Sequence, residues 1–260
     1  MMVKKEGIEL YAVIEETLKQ IERENNIRIL YAVESGSRAW GFASPDSDYD
    51  VRYVFIRPKA DYLRLDPLPE TIEGPLDEIL DFSGWDIRKT LSLLRKTNPS
   101  LMEWAQSPIV YRTTPQWEAL AAHFGDYFDP TANMHHYLSM TLSTAHSYLK
   151  GDQVRFKKYL YALRPLLCCR WLETYGTVPP VPFDRLRSEM LPEELQPVMD
   201  ALLRRKQTAG ESETGPHIPE LDAFIASEVP RFRALLSSRE KAVSPPWDGL
   251  NGLFFQLLNH

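Results

Sequence analysis

The sequence predicts an α/β domain with a small mixed sheet, followed by an all-helical domain. Two observations support this prediction. Helix-like and strand-like segments alternate over roughly the first 112 residues, whereas the segments after residue 115 have the apolar spacing of helices. The chain of 260 residues is long enough for one large domain or two ordinary ones. We therefore expect one domain over residues 1–112 and a second over residues 113–260, with the boundary near RTTPQ.

The first domain is expected to begin with an amphipathic helix, because apolar residues recur at helical spacing between residues 8 and 24. Strands are predicted in IRILYAVES, YDVRYVFIRP and EILDF, since these segments are short and mainly apolar. GSRAWGF predicts a turn that opens into a short helix, and ASPDSD predicts a loop. The acidic segment over residues 59–78 is expected to be a loop that can hold an edge hairpin, and a helix is expected from SGWD onward.

Composition places the chain among globular proteins, with 43% hydrophobic and 25% charged residues. No apolar run approaches the ~18 residues of a membrane-spanning helix, and no secretory signal is readable. Cys168 and Cys169 are adjacent in a helical segment, which disfavours a disulfide between them. Zinc-site, serine-hydrolase and Walker A motifs are lacking. We expect a reduced, cytoplasmic protein without membrane contact, and the oligomeric state stays open.

Charge is unevenly distributed along the chain, which has a net charge of −6. Residues 61–86 hold eight acids and one arginine, whereas residues 150–171 hold six bases and one acid. An acidic, metal-binding part that faces a basic part would suit a substrate that carries phosphates. A solvated basic helix face would produce the same pattern.

Two aspartates, Asp48 and Asp50, stand where a loop meets the second predicted strand. In an extended segment alternate side chains share a face, so both carboxylates point the same way as Arg52. Neighbouring carboxylates repel each other unless a cation neutralises them. Hard oxygen ligands favour Mg²⁺ (or Mn²⁺), which completes its coordination with water and substrate phosphates. Two such ions can stabilise the attacking and the leaving oxygen of a displacement at phosphorus.

A Gly-Ser turn, Gly36-Ser37, precedes these aspartates by about a dozen residues. Glycine at a strand-to-helix turn lets the backbone approach a phosphate closely. The Ser37 hydroxyl and the backbone N–H groups can then donate to phosphate oxygens. A Gly-Ser turn or an Asp-x-Asp pair alone is commonplace, but the two together, with a strand on each side, are much more specific.

Seven residues of GSRAWGFASPDSDYD fall on the pattern G-S-x-A-x-G-x(5)-S-D-x-D: Gly36, Ser37, Ala39, Gly41, Ser47, Asp48 and Asp50. This pattern resembles that of the DNA polymerase β-type nucleotidyltransferase superfamily, although Trp40 stands where the superfamily has arginine or a similar residue. Residues 83–111 and 157–172 resemble the YcgL/RlaP-like branch, which is associated with RNA repair. The resemblance therefore covers both expected domains.

The resemblance implies an enzyme that transfers a nucleoside monophosphate from an NTP to an acceptor hydroxyl and releases pyrophosphate. It also implies a third carboxylate beside the first two, which serves as general base or positions the hydroxyl. Asp81, in the strand-like EILDF, is favoured as this third catalytic and metal-binding acid. Asp86 is the alternative, but Ser83 and Asp86 have the spacing of a capping box at a helix start.

Basic residues are the candidates for holding the nucleotide. Arg38 follows the Gly-Ser turn and can pair with a triphosphate, while Arg52 either contacts phosphate or balances the acids. In the second domain, Lys157, Tyr161 and Arg164 share one helix face, with Lys158 at its edge. This face resembles the part of the family's helical domain that closes on the nucleotide. The alternative is a solvated face with the tyrosine against the core.

The acceptor remains open at the level of sequence. An RNA 3′ end is favoured, because aromatic residues are interleaved with lysine and arginine over residues 155–171. A protein hydroxyl, as in antitoxin-type members of the superfamily, or a small molecule such as an antibiotic are alternatives. A different class of function is a non-catalytic antitoxin that binds a nucleotide or a partner protein through the same fold.

Overall fold

The computed structural model describes residues 2–75, 79–209, 213–240 and 244–259. The helices and strands follow one another in this order: α1 Met2–Asn25, β1 Arg28–Glu34, α2 Gly36–Trp40, β2 Tyr49–Ile56, β3 Thr71–Glu73, β4 Leu80–Asp86, α3 Ile87–Arg95, α4 Pro99–Ala105, β5 Val110–Arg112, α5 Pro115–Ala121, α6 Pro130–Tyr148, β6 Val154–Arg155, α7 Phe156–Tyr175, α8 Phe183–Met190, α9 Gln196–Ala209, β7 Thr214–Gly215, α10 Pro219–Ser237 and α11 Asp248–Leu258. Short 3₁₀ turns lie at Lys59–Leu63, Phe124–Tyr127 and Glu193–Leu195.

Five strands form a mixed sheet in the order β3-β4-β2-β1-β5. β2 and β4 are parallel, whereas the other neighbouring pairs are antiparallel. β3, from the acidic segment, pairs antiparallel with β4 at the edge of the sheet, so this segment contributes one strand of a pair instead of a hairpin of its own. Residue 78, the start of the predicted strand EILDF, lies outside the described residues, and β4 begins at Leu80. The α/β class with a mixed sheet is confirmed.

Different helices cover the two faces of the sheet. Alternate side chains of β2 point to opposite faces, so they pack against different helices. On one face Val51, Tyr53 and Phe55 pack with α1. On the other face Val54 and Ile56 pack with α3, α4, α5 and α11. Because α5 and α11 follow residue 112 and yet pack against the sheet, side-chain packing crosses the domain boundary expected from the sequence.

The helix expected from SGWD onward begins later than predicted, at Ile87. Ser83 is extended and lies opposite Arg52 in the parallel ladder, so it does not cap a helix. Instead Asp86 is itself the N-cap of α3, and its Oδ1 accepts a hydrogen bond of 2.8 Å from the Arg88 amide. The capping-box interpretation of Ser83 and Asp86 is therefore wrong, because the strand continues to the residue before the helix.

Most of the chain after β5 is helical, and α6 and α7 form the centre of a separate cluster of buried residues. The prediction of helices alone was incomplete, since the two-residue strands β6 and β7 pair antiparallel beside the start of α7. Phe42, from the loop after α2, is buried in this helical cluster, so the loop connects the sheet to α7 and α8. Among the described residues, no helix has the length and apolar character needed to cross a membrane.

Candidate active site

The candidate site lies at the edge of the sheet where β1 ends and β2 and β4 begin. Asp50 and Asp81 are direct neighbours in the parallel ladder, so their side chains project from the same face. One guanidinium nitrogen of Arg52 lies 2.8 Å from Asp50 Oδ1 and 2.7 Å from Asp81 Oδ2. The register of two strands thus brings together two carboxylates that are 31 positions apart in the sequence, and a cation already links them.

Asp48 lies one residue before β2 and is exposed to solvent. Its backbone carbonyl accepts a hydrogen bond of 3.0 Å from Arg38 Nε, and the Ser47 carbonyl accepts one of 2.5 Å from Arg38 Nη2. The Arg38 guanidinium also lies 3.5 Å from the centre of the Tyr49 ring. Arg38 therefore shapes the loop that carries Asp48, a structural role which the sequence did not reveal.

Gly36 holds the turn against Asp50. Its φ is +59°, a conformation that residues with a side chain rarely adopt. A Cβ atom at this position would lie 2.1 Å from Asp50 Oδ2, which leaves no room for any side chain. The amide of Ser35 also donates to the Asp50 carbonyl over 2.9 Å. The turn and the carboxylate are in direct contact, while Ser37 beside them is only 3% exposed.

Glu34, at the end of β1, is a buried acid that sequence reasoning missed. It is 1% exposed, and its Oε1 accepts a hydrogen bond of 2.8 Å from the Asp50 amide. Its Oε2 accepts a hydrogen bond from the Tyr111 hydroxyl. Burial raises the pKa of Glu34 to about 6, although both hydrogen bonds act in the opposite direction. An acid at the end of an otherwise apolar strand, next to the Gly-Ser turn, was the available signal.

The donor set at this edge fits a hard divalent cation. The side chains of Asp50 and Asp81 are 29% and 56% exposed, so water and phosphate can reach both carboxylates. Within the described ranges, no three acidic, histidine or cysteine side chains are arranged to enclose a metal ion. Mg²⁺ takes one or two carboxylates and completes its shell with water and substrate, and Asp50 and Asp81 are two neighbouring carboxylates of this kind.

The second candidate acid, Asp86, is at the opposite end of β4. It is five positions further along the strand than Asp81, a distance of about 17 Å. It is 4% exposed, and it accepts a hydrogen bond of 3.0 Å from the Tyr62 hydroxyl in addition to the one from Arg88. Burial raises the pKa of Asp86, while these hydrogen bonds lower it. Of the two alternatives, only Asp81 lies beside Asp50.

The start of α7 lies beside the end of α2. The Tyr161 ring packs edge-on against Trp40, with 5.4 Å between the ring centres. Lys158 is next to it, with its Nζ 5.5 Å from the centre of the Tyr161 ring and 3.8 Å from that of Tyr148. Lys157 is half-buried on the same helical turn. Of these three predicted residues, the structure therefore brings Tyr161 into contact with α2, while Lys157 and Lys158 lie within one helical turn of Tyr161.

Arg164 does not join them. It is 1% exposed, and its Nη1 donates to Glu103 Oε1 over 2.6 Å, while its Nη2 donates to the Val181 carbonyl over 3.3 Å. The expectation that Arg164 contacts phosphate is corrected by this position, because the guanidinium is enclosed by protein. Helical spacing placed it on the face of Tyr161, but α7 is buried further along its length by α6 and α8.

Comparison with known proteins places the chain among its relatives. The model of a family described as "RlaP: RNA repair pathway DNA polymerase beta family" matches residues 10–256. The chain belongs to the RlaP family. This membership confirms the resemblance found in the sequence, and the RlaP match extends over both expected domains.

Two individual proteins are similar to this RlaP-family chain. The uncharacterized protein YcgL of Bacillus subtilis (strain 168) is 43% identical over 220 residues, which cover 83% of this chain and 84% of that protein. A nucleotidyltransferase-like protein from Exiguobacterium sibiricum 255-15, known from its crystal structure, aligns with 86% of this chain and 75% of its own, at 13% identity and a TM-score of 0.31.

Proposed function

We propose that this chain is a metal-dependent nucleotidyltransferase, which moves a nucleoside monophosphate from an NTP to an acceptor hydroxyl and releases pyrophosphate. The observation that carries the proposal is the pair Asp50 and Asp81, in register on parallel strands and linked through one nitrogen of Arg52. Family membership supports the reaction class. The contact between Gly36 and Asp50 supports a substrate position directly beside the turn.

The residues would divide the work as follows. Asp50 and Asp81 would hold the divalent cation, with Asp48 as the further ligand that the sequence motif implies, and the cation would neutralise negative charge on the phosphates as the displacement proceeds. The acceptor oxygen forms a bond to the α-phosphorus, while the bond from that phosphorus to the pyrophosphate oxygen breaks. Asp81, the more exposed of the two linked acids, takes the hydroxyl proton. Backbone groups of the turn at Gly36 and Ser37 bind the departing phosphates.

Arg52 has two roles in this proposal. Without substrate it keeps Asp50 and Asp81 together, because the guanidinium compensates their mutual repulsion. With a divalent cation bound, Asp50 and Asp81 would hold it in place of Arg52, and the guanidinium would remain close enough to contact substrate phosphate. The same ion pairs favour a second candidate function, in which Arg52 stays in place and the chain binds a partner protein as an antitoxin without transfer.

RNA with a free 3′-hydroxyl is the acceptor that we favour. Lys157 and Lys158 stand at the start of α7, on the turn before Tyr161, and the Tyr161 ring contacts Trp40 at the end of α2. Cationic and aromatic side chains in one place suit a nucleic acid strand, whose phosphates and bases they contact respectively. The description of the family, which assigns it to an RNA repair pathway, agrees with this choice. A protein hydroxyl is the competing acceptor.

A labelling experiment tests the proposal. The purified chain is incubated with each α-labelled NTP, Mg²⁺ or Mn²⁺, and a single-stranded RNA that ends in a 3′-hydroxyl. We expect label on the RNA and none on the same RNA with a 3′-phosphate. Asp50→Asn should abolish transfer, whereas Asp126→Asn, on an exposed 3₁₀ turn, should preserve it. Transfer to protein would replace the acceptor, and stable partner binding without any transfer would favour the antitoxin.

A further inference from the structure

Four helices meet at one buried carboxylate, that of Glu103 in α4. Its Oε2 accepts a hydrogen bond of 3.0 Å from the Trp40 indole in α2. Its Oε1 accepts one of 2.9 Å from the Tyr137 hydroxyl in α6 and one of 2.6 Å from Arg164 in α7. A fully enclosed carboxylate needs such donors, because burial of an unpaired charge is costly. The sequence separation of these residues reaches 124 positions, so only the folded chain assembles the cluster.

Trp40 is the member of this cluster that belongs to the candidate site. It is the last residue of α2, the helix that begins with Gly36 and Ser37. Besides its hydrogen bond to Glu103, its ring lies 4.5 Å from the Arg164 guanidinium carbon and 5.4 Å from the Tyr161 ring centre. The indole therefore contacts α4 and two successive turns of α7 at once.

The helix α2 depends on contacts of this kind. It has only five residues, and a helix of that length is not stable alone because the cost of its first turn is not recovered. Two hydrogen bonds of 3.1 Å cap the C-terminal end of α2. The Gly41 amide donates to the Arg38 carbonyl, and the Phe42 amide donates to the Ser37 carbonyl. The position of the Gly-Ser turn must then be set by the side chains of α2.

We propose that Trp40 is a positioning residue, which holds α2 against α4 and α7 so that the Gly36-Ser37 turn and Lys157 and Lys158 of α7 face one nucleotide. This role in nucleotide binding rests on the function proposed above. Trp40 does not touch the substrate. Its indole N–H fixes the rotation of α2 through Glu103, and its ring fixes the distance to α7.

The test is Trp40→Phe, which retains an aromatic ring but removes the N–H donor to Glu103. The matched control is Trp171→Phe, because the Trp171 indole also makes one hydrogen bond, of 3.1 Å to Thr177 Oγ1, and is also in the helical cluster. Hydrogen exchange of the Gly41 and Phe42 amides should be about tenfold faster in Trp40→Phe, a local opening without global unfolding. These amides should exchange at the wild-type rate in Trp171→Phe.

Binding of ATP in the presence of Mg²⁺, measured by calorimetry, provides the second readout. We expect the dissociation constant to rise about tenfold in Trp40→Phe and less than twofold in Trp171→Phe. Unchanged exchange at Gly41 and Phe42 would overturn the inference, and so would faster exchange with unchanged ATP affinity. If circular dichroism shows that Trp40→Phe does not fold, Tyr161→Leu replaces it in the exchange measurement with the same expectation, because it removes the ring that packs on Trp40 and leaves Glu103 paired with Arg164.

Failure of the proposed function would look different. If the wild-type chain binds none of the four NTPs with Mg²⁺, the nucleotidyltransferase proposal fails. The exchange measurement then still decides whether Trp40 fixes α2, since it needs no ligand. Wild-type ATP binding together with equal exchange in both tryptophan variants would preserve the function and overturn the role of Trp40.

Discussion

Two arginines of this chain contact carboxylates at similar distances but in opposite environments. Arg52 links Asp50 and Asp81 at the edge of the sheet, where its own side chain is 18% exposed and those of the two acids are 29% and 56% exposed. Arg164 contacts Glu103 in the interior, where its own side chain is 1% exposed. Water can replace the partners of Arg52, so that pair is weak and exchangeable. The partners of Arg164 have no such substitute, so the second pair is structural.

The same chemical groups can therefore form part of a binding site or stabilise the packing of helices, depending on how exposed they are. A carboxylate that must bind a metal ion has to release its cationic partner at low cost, which requires access to water. A carboxylate that joins helices has to keep its partners, which requires burial. Both arginines were candidates for phosphate contact on the basis of sequence. Burial alone distinguishes them.

Replacing each arginine in turn should give the largest effect and tests directly whether the two ion pairs differ in their contribution to stability. Arg164→Met should lower the free energy of unfolding by about 3–5 kcal/mol, because Glu103 would remain as an uncompensated buried charge. Arg52→Met, the matched control, should lower it by at most ~1 kcal/mol, since its partners are hydrated. Urea denaturation followed by circular dichroism measures both values. Equal losses would show that exposure does not separate the two pairs.

Removing the negative charge of each alternative acid in a separate variant identifies the acid that acts together with Asp50. Asp81→Asn should reduce nucleotidyl transfer by a factor on the order of 10²–10³, as expected when one electrostatic contact to the transition state is lost. Asp86→Asn should leave transfer nearly intact, because asparagine also caps helices and the residue is at the far end of β4. Single-turnover rates measure the effect. A larger loss in Asp86→Asn would reverse the assignment.

The packing of Gly36 on Asp50 is tested by adding a methyl group. Gly36→Ala should lower the free energy of unfolding by about 1–3 kcal/mol, through backbone strain together with the collision at Asp50 Oδ2. Gly176→Ala is the control, since Gly176 has a φ of +64° and open space around its Cβ position. Gly176→Ala therefore measures the cost of backbone strain without a steric clash at the added methyl group. A Gly36→Ala variant as stable as Gly176→Ala would show that the turn does not press on the carboxylate.

A third ion pair, which involves a histidine, should contribute less stability, and its contribution should depend on pH. His217 Nδ1 lies 2.8 Å from Asp222 Oδ2 and its Nε2 lies 2.7 Å from the Gly151 carbonyl, so both ring nitrogens face acceptors. The Gly151 carbonyl and then Asp222 raise the pKa of His217. The resulting stabilisation is complete below the ordinary histidine pKa of about 6.5 and disappears as the pH rises through the higher folded-state value.

The expected effect of this pair is small. The midpoint of thermal unfolding should be about 1–3 °C higher in the wild type than in His217→Gln at pH 6, and the two should coincide at pH 9. Scanning fluorimetry across this range measures the difference. His123→Gln, at the exposed contact with Asp126, serves as control. A difference that stays constant with pH would show that protonation of His217 does not contribute.

Much of the architecture could be predicted from local patterns. The strand periodicity around Asp50, the small-residue turn at Gly36 and the apolar spacing of α1 depend on neighbours within a few positions, and the structure has these elements close to where they were expected. Motif spacing also led to the family, since seven pattern positions lie in one contiguous stretch. Such features are determined by the sequence because their physical causes are local.

The tertiary structure alone decided which distant residues meet. Asp81 rather than Asp86 lies beside Asp50, because the register of the parallel pair β2 and β4 places it there. Arg164 is removed from the basic face because α6 and α8 enclose that part of α7. Burial and strand register result from contacts between residues far apart in the chain, which no local pattern encodes. The sequence by itself therefore determined which chemical groups are present, and the fold determined which of them can reach a substrate.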